Sequence, residues 1–189
     1  MPRDDAACPV VAASPGGRHG GLAPPVDLTG MRVRPAASDE SDAVGGVWLR
    51  ARAASVPAIP PPVHGEDEVR RWFRHVVLPG RAGPCRVVLV ADLDDRVVGL
   101  LVLDGGSVEQ LYVEPALTNG RIGTCLLDAA KARRPGGVEL WTFEANAGAR
   151  RFYERHGFRA VEWAVGHSEE AAPDVRYRWP GEAGPARAR

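Results

Sequence analysis

Pairable cysteine, net charge and long apolar runs are all scarce in this chain, and each shortage narrows what the protein can be. Its 189 residues include three cysteines, Cys8, Cys85 and Cys125. They are odd in number, widely spaced and free of any Cys-x-x-Cys pair, which argues against a disulfide framework and for reduced thiols in a cytoplasm. Lys+Arg and Asp+Glu both number 24, so the formal net charge is zero. No basic or acidic excess favours a nucleic-acid or membrane-surface partner, and a small or neutral substrate fits better. No apolar run approaches the roughly 20 residues that span a bilayer. The start also lacks the order of a secretory signal, because Asp4 and Asp5 stand where positive charge belongs and Pro9 breaks the short apolar run. His64, His75 and His167 show no metal-ligand spacing and read as surface or loop residues, so no metal is expected.

Residues 1–30 are rich in Gly, Pro and Ala, lack helical or strand periodicity, and hold too little large apolar surface to offset ordering entropy. They read as a disordered tail, as do residues 181–189. Met31 opens the first strand-like stretch, which suggests it as the true start; N-terminal sequencing of native protein that found Pro2 would exclude that idea. The intervening 31–180 has the length of one ordinary domain with its own core.

Within it the pattern is strand, two helices, three strands, helix, strand, helix and one or two closing strands, an α/β arrangement around a mixed, mostly antiparallel sheet. Ser38 or Asp39 is placed to cap a first helix ending near Ala54, and the proline-rich 57–62 forces a loop before a second helix over 66–77. Strands are expected at 86–91, 96–103 and 107–113, separated by hairpin-like turns at 92–95 and 104–106, which makes them antiparallel. A strand at 138–143 lies between two helical segments, the arrangement that gives a parallel crossover.

Two stretches carry chemistry. In the first, 111–128, a strand passes through a loop into a helix whose Ile122, Cys125, Leu126, Ala129 and Ala130 form one apolar stripe. Such a strand-loop-helix junction exposes unpaired N–H groups at the positive end of a helix, a geometry that holds phosphate. Thr124 adds a hydroxyl and Arg121 a charge. Taken alone, Gly120 and Gly123 fit a tight turn and close packing equally well. In the second stretch, Asn146 is a good N-cap and Gly157 a good terminator for a three-turn helix carrying Ala149, Phe152, Tyr153 and His156 on one stripe.

Together these stretches, Asn-x-x-Ala-x-x-Phe-Tyr-x-x-x-Gly-Phe at 146–158 some two dozen residues after a Val-x-Pro loop and an Ile-Gly-Thr-x-Leu-Leu helix, resemble the GCN5-related N-acetyltransferase (GNAT) family. The resemblance is strong over 108–163 and rests on pattern elsewhere in 31–180. It implies an N-acetyltransferase that uses acetyl-CoA as cosubstrate, with a small-molecule or peptide amine as acceptor, working as a monomer or homodimer. The pantetheine arm would lie between two splayed strands on main-chain groups near Leu111 and Val113, and the pyrophosphate on the amides of Asn119, Gly120, Arg121, Ile122, Gly123 and Thr124. Asn146 matches the side chain that contacts pantetheine, and Tyr153 matches the tyrosine that protonates the departing thiolate. As a core residue, Tyr153 would instead pack its ring and bond its hydroxyl locally.

The match departs from the family pattern in its phosphate loop, where Thr118 replaces the leading Gln or Arg and Arg121 the central Gly. A side chain at 121 either obstructs the close backbone approach or pairs its guanidinium with a phosphate. A non-catalytic acyl-CoA-binding or sensing protein is accordingly the alternative. For a general base the candidates are Glu109 and, less directly, Glu144; by strand alternation only one of Glu109 and Gln110 faces the cleft. Trp48, Trp72, Trp141 and Trp163 read as core or cleft-wall aromatics.

Overall fold

The structure is a computed structural model and describes residues 27–57, 59–79, 85–118, 121–165 and 168–181. Asn119, Gly120, His167, Cys8 and most of both expected tails lie outside these residues. Residues 27–30 are described: they turn into the first strand, with Met31 N–H donating to Leu28 C=O (3.0 Å) and Leu28 packing on the core.

Seven strands form one sheet, β1 (Arg32–Pro35), β2 (Arg86–Leu93), β3 (Arg96–Asp104), β4 (Ser107–Val113), β5 (Val138–Phe143), β6 (Arg159–Val165) and β7 (Pro173–Trp179), in the order β1-β2-β3-β4-β5-β7-β6. Every adjacent pair is antiparallel except β4 with β5. The expected antiparallel trio and parallel crossover are both present. Asp94 and Asp95 close the β2–β3 hairpin at φ of 51° and 58°, the left-handed pair that a tight two-residue turn needs and that Asp tolerates better than most residues.

Helices α1 (Ser41–Ala54) and α2 (Glu66–Trp72) cover one face, while α3 (Ile122–Arg133) and α4 (Ala147–Arg155) cover the other. The alternation of β3 divides its side chains between the two layers. Leu100 and Val102 pack under α1 with Val44, Val47 and Phe73, and Leu101 and Leu103 pack with Ile122 and Leu126 of α3. A strand buried on both faces therefore reads as a continuous apolar run in the sequence. Gly99 permits the close approach of α3, since a Cβ there would stand 3.0 Å from Ile122 Cγ2.

Local details differ from expectation in three places. Helix α1 starts at Ser41, and neither Ser38 nor Asp39 caps it. Arg34 draws Glu40 into the N-cap position by two hydrogen bonds (2.6 and 2.8 Å), and the Glu40 carboxylate also accepts from Ala37 N–H (2.7 Å). The second helix reaches Val77 as expected, but its last turn widens into a π-turn, Phe73–Val77, closed by Leu78 N–H to Phe73 C=O (3.1 Å), with Phe73 and Val77 both fully buried. Trp163 is no cleft-wall residue: it lies on the edge strand β6 and is 58% exposed.

The Arg34 cluster gives a pH prediction. Its guanidinium holds the Glu40 carboxyl below the ordinary 4.5, so the pair's contribution is fully present above that value and is lost as pH falls through the lowered one. Glu40→Gln is expected to be less stable than the parent at pH 7, with the difference shrinking as pH drops below 4.5. Urea unfolding at neutral and acid pH measures it.

Candidate active site

Strands β4 and β5 pair only at Ser107↔Glu139 and Val108↔Leu140, and beyond that point they diverge. The β5-facing main-chain edge of β4 from Glu109 to Val113 therefore has no strand partner. Backbone N–H and C=O groups seek partners, so this open edge is suited to an extended ligand with amide groups of its own. A cleft of about 1100 Å³ lies along it.

The cleft brings together Glu109, Leu111, Val113, Asn146 and Tyr153. Asn146 caps α4, its Oδ1 accepting from Ala149 N–H (3.0 Å), and the side-chain amide remains for other contacts. Gly157, at φ 81°, ends that turn of chain as expected. Tyr153 is 8% exposed and packs near Phe152, Phe158 and Tyr177. Burial pushes its phenol well above the ordinary tyrosine range, and neighbouring Tyr112 pushes it further. The hydroxyl thus stays protonated at neutral pH as a donor, although a weaker acid than an exposed tyrosine. Burial that raises the phenol would raise a thiol in the same cleft too, which keeps the two within reach of one another.

The alternation argument for Glu109 does not hold. Leu103 pairs with Val108 and Val102 with Gln110, which leaves Glu109 as the extra residue of a β-bulge. A bulge re-aims side chains, and Glu109 and Gln110 both line the cleft. Glu109 is exposed there, while Gln110 accepts from Trp48 Nε1 (2.8 Å). Glu144 lies away from the cleft lining, exposed at the end of β5.

Helix α3 begins at the other end of the open edge. It has no side-chain cap, and its first helical bond is Cys125 N–H to Arg121 C=O (3.0 Å). The N–H groups of Ile122, Gly123 and Thr124 thus precede the intrahelical ladder, at the positive end of the helix dipole. Ile122 itself is core. Arg121 adopts φ 63°, ψ −1°, a left-handed conformation. The backbone keeps the turn that a glycine would make, and the residue is exposed. Thr124 is less free than its sequence position implies. His156 Nδ1–H donates to Phe152 C=O (2.8 Å), and its Nε2 is hydrogen-bonded to the Thr124 hydroxyl (3.1 Å).

Sequence reasoning missed Arg52 and Tyr112. Arg52 is 3% exposed, paired with Glu170, and its guanidinium lies 5.4 Å from the Trp48 ring and 5.5 Å from that of Phe143. It also pulls down the Tyr112 hydroxyl, which burial raises more strongly. The one sequence hint was Trp48 and Arg52 standing a turn apart on α1.

Comparison with known proteins agrees with this geometry. A family profile described as an acetyltransferase (GNAT) domain matches residues 84–160. Mycothiol acetyltransferase from Corynebacterium jeikeium is 32% identical over 102 residues, which is 53% of this chain but only 30% of that protein's length. Among solved structures, an acetyltransferase from Thermus thermophilus superposes with TM-score 0.65 (16% identity, 82% of this chain and 99% of that one). The PaiA N-acetyltransferase from Thermoplasma acidophilum, solved in complex with coenzyme A, gives TM-score 0.56 (17% identity, 77% and 97%). Residues 84–160 thus match a GNAT acetyltransferase domain, and the fold shared with solved acetyltransferases extends over most of the described residues.

Proposed function

We propose that the protein transfers an acetyl group from acetyl-CoA to an amine. The observation that carries this reading is the split between β4 and β5, with Tyr153 and Asn146 on one wall and the uncapped start of α3 at its end. The pantetheine arm would use the open main-chain edge near Leu111 and Val113 and the free amide of Asn146. The N–H groups of Ile122, Gly123 and Thr124 would take up phosphate, together with Asn119 and Gly120 by resemblance.

In the reaction, the neutral amine nitrogen attacks the thioester carbonyl. A C–N bond forms, the C–S bond breaks, the nitrogen gives up a proton, and the thiolate leaves with one from Tyr153. Glu109 is the proposed acceptor of the amine proton, directly or through water, because the bulge turns it to the cleft. Neither Cys85 nor Cys125 is held in a disulfide, which fits a cytoplasmic setting. The alternative of a non-catalytic binding protein rested on Arg121, and the retained left-handed turn there removes its main support. Release of free thiol from acetyl-CoA across a panel of primary amines tests the reading; no amine-dependent release from chain that binds acetyl-CoA would refute it.

Arg121 also yields a prediction in which two measurements move oppositely. A non-glycine residue in the left-handed region costs about 1 kcal/mol, so Arg121→Gly should unfold at slightly higher urea. Loss of the guanidinium beside the phosphates should weaken acetyl-CoA binding several-fold, and more so at low salt. Urea unfolding and calorimetry report the two effects separately.

A further inference from the structure

This inference rests on the acetyl-transfer reading and names its acceptor. The cleft lining carries five carboxylates, Glu68, Glu109, Glu169, Glu170 and Asp174. Against them, among the described residues, stand two groups able to bear positive charge. Arg52 is committed to Glu170 and enclosed by two rings. His64 lies between Glu68 (3.0 Å) and Glu169 (2.8 Å), whose hydrogen bonds raise its pKa, and even protonated it leaves the carboxylates in excess. Among the described residues, an anionic acceptor would find no uncommitted arginine or lysine on these walls.

The aromatic residues point the same way independently of charge count. Trp48, Trp72 and Trp141 all line the cleft. Two of them already carry a cation, Arg52 at Trp48 (5.4 Å) and Arg176 at Trp141 (5.8 Å). Trp72 is 36% exposed, has its edge-to-face partner in Phe73, and carries no cation among the described residues. Glu68 is one helical turn before it on α2, so ring and carboxylate share a face. An ammonium between them would gain from the ring quadrupole and from the Glu68 carboxylate, which it would share with His64.

We infer that the acceptor is a di- or polycationic amine. One nitrogen, in its neutral form, is delivered to the thioester beside Tyr153, while a second remains an ammonium at Glu68 and Trp72. The transfer balances as above: the reacting amine becomes an amide, CoA leaves as the thiol, and the distal ammonium keeps its proton throughout.

The test compares three acceptors of equal length with saturating acetyl-CoA: 1,4-diaminobutane, n-butylamine and 4-aminobutanoate. The diamine should have a kcat/KM at least roughly tenfold above the monoamine, with the amino acid lowest. Glu68→Gln and Trp72→Ala should each erode that ratio, mainly through KM. Equal or better use of the monoamine or the amino acid would overturn the inference while leaving acetyl transfer intact. Calorimetry with the N-permethylated diamine, which has no N–H to acylate, provides a readout without turnover. Binding that Glu68→Gln weakens, with no thiol released from any amine, would uphold the cation site and refute the transfer; no binding would overturn the inference.

Discussion

Tyr153→Phe is expected to lower kcat on the order of 100-fold while leaving the Kd for acetyl-CoA within about twofold. The substitution removes a single oxygen from a ring whose packing against Phe152, Phe158 and Tyr177 is retained. Among the described residues the phenol has no hydrogen-bond partner, so its loss leaves none of their buried groups orphaned. What disappears is the one proton donor that α4 directs to the cleft and that burial keeps protonated. A purely packing role predicts unchanged kcat; weakened binding that matched the lost rate would instead assign the hydroxyl to ground-state contacts.

Arg52→Met is expected to destabilise the fold by about 2–3 kcal/mol, since removing one partner of a buried pair strands the other. The figure falls below that for a fully buried pair because Glu170 retains 15% exposure and can partly rehydrate. Arg52 ties α1 to the segment joining β6 and β7 and fills the space between Trp48 and Phe143. Methionine keeps much of that packing, so the loss should be mainly electrostatic. Adding Glu170→Gln should therefore recover part of it. Urea unfolding of the two single variants and the double variant measures the coupling, and strictly additive effects would contradict the pairing.

Why the fold was legible before the site can be traced to particular residues. Turn residues such as Asp94-Asp95, the apolar runs of β2 and β3, and the cap and terminator at Asn146 and Gly157 act locally, so the sequence displays them directly. The start of α1 was misread because Glu40 is recruited by Arg34, and no local capping rule contains that contact. Glu109 and Gln110 could not be assigned by alternation, because the bulge that places both on the cleft depends on register against β3. Arg52 looked like an ordinary helix arginine until Glu170, 118 residues away, paired with it. The strand pair and the two motif helices were readable as elements, whereas the divergence that opens the cleft is a property of their pairing alone.

Calorimetric titration of the chain with acetyl-CoA and with CoA tests the central claim most directly, that the β4–β5 split and the start of α3 form a working acyl-CoA site. Micromolar binding of both, about −8 kcal/mol, is the predicted result. Absence of binding to either would contradict it.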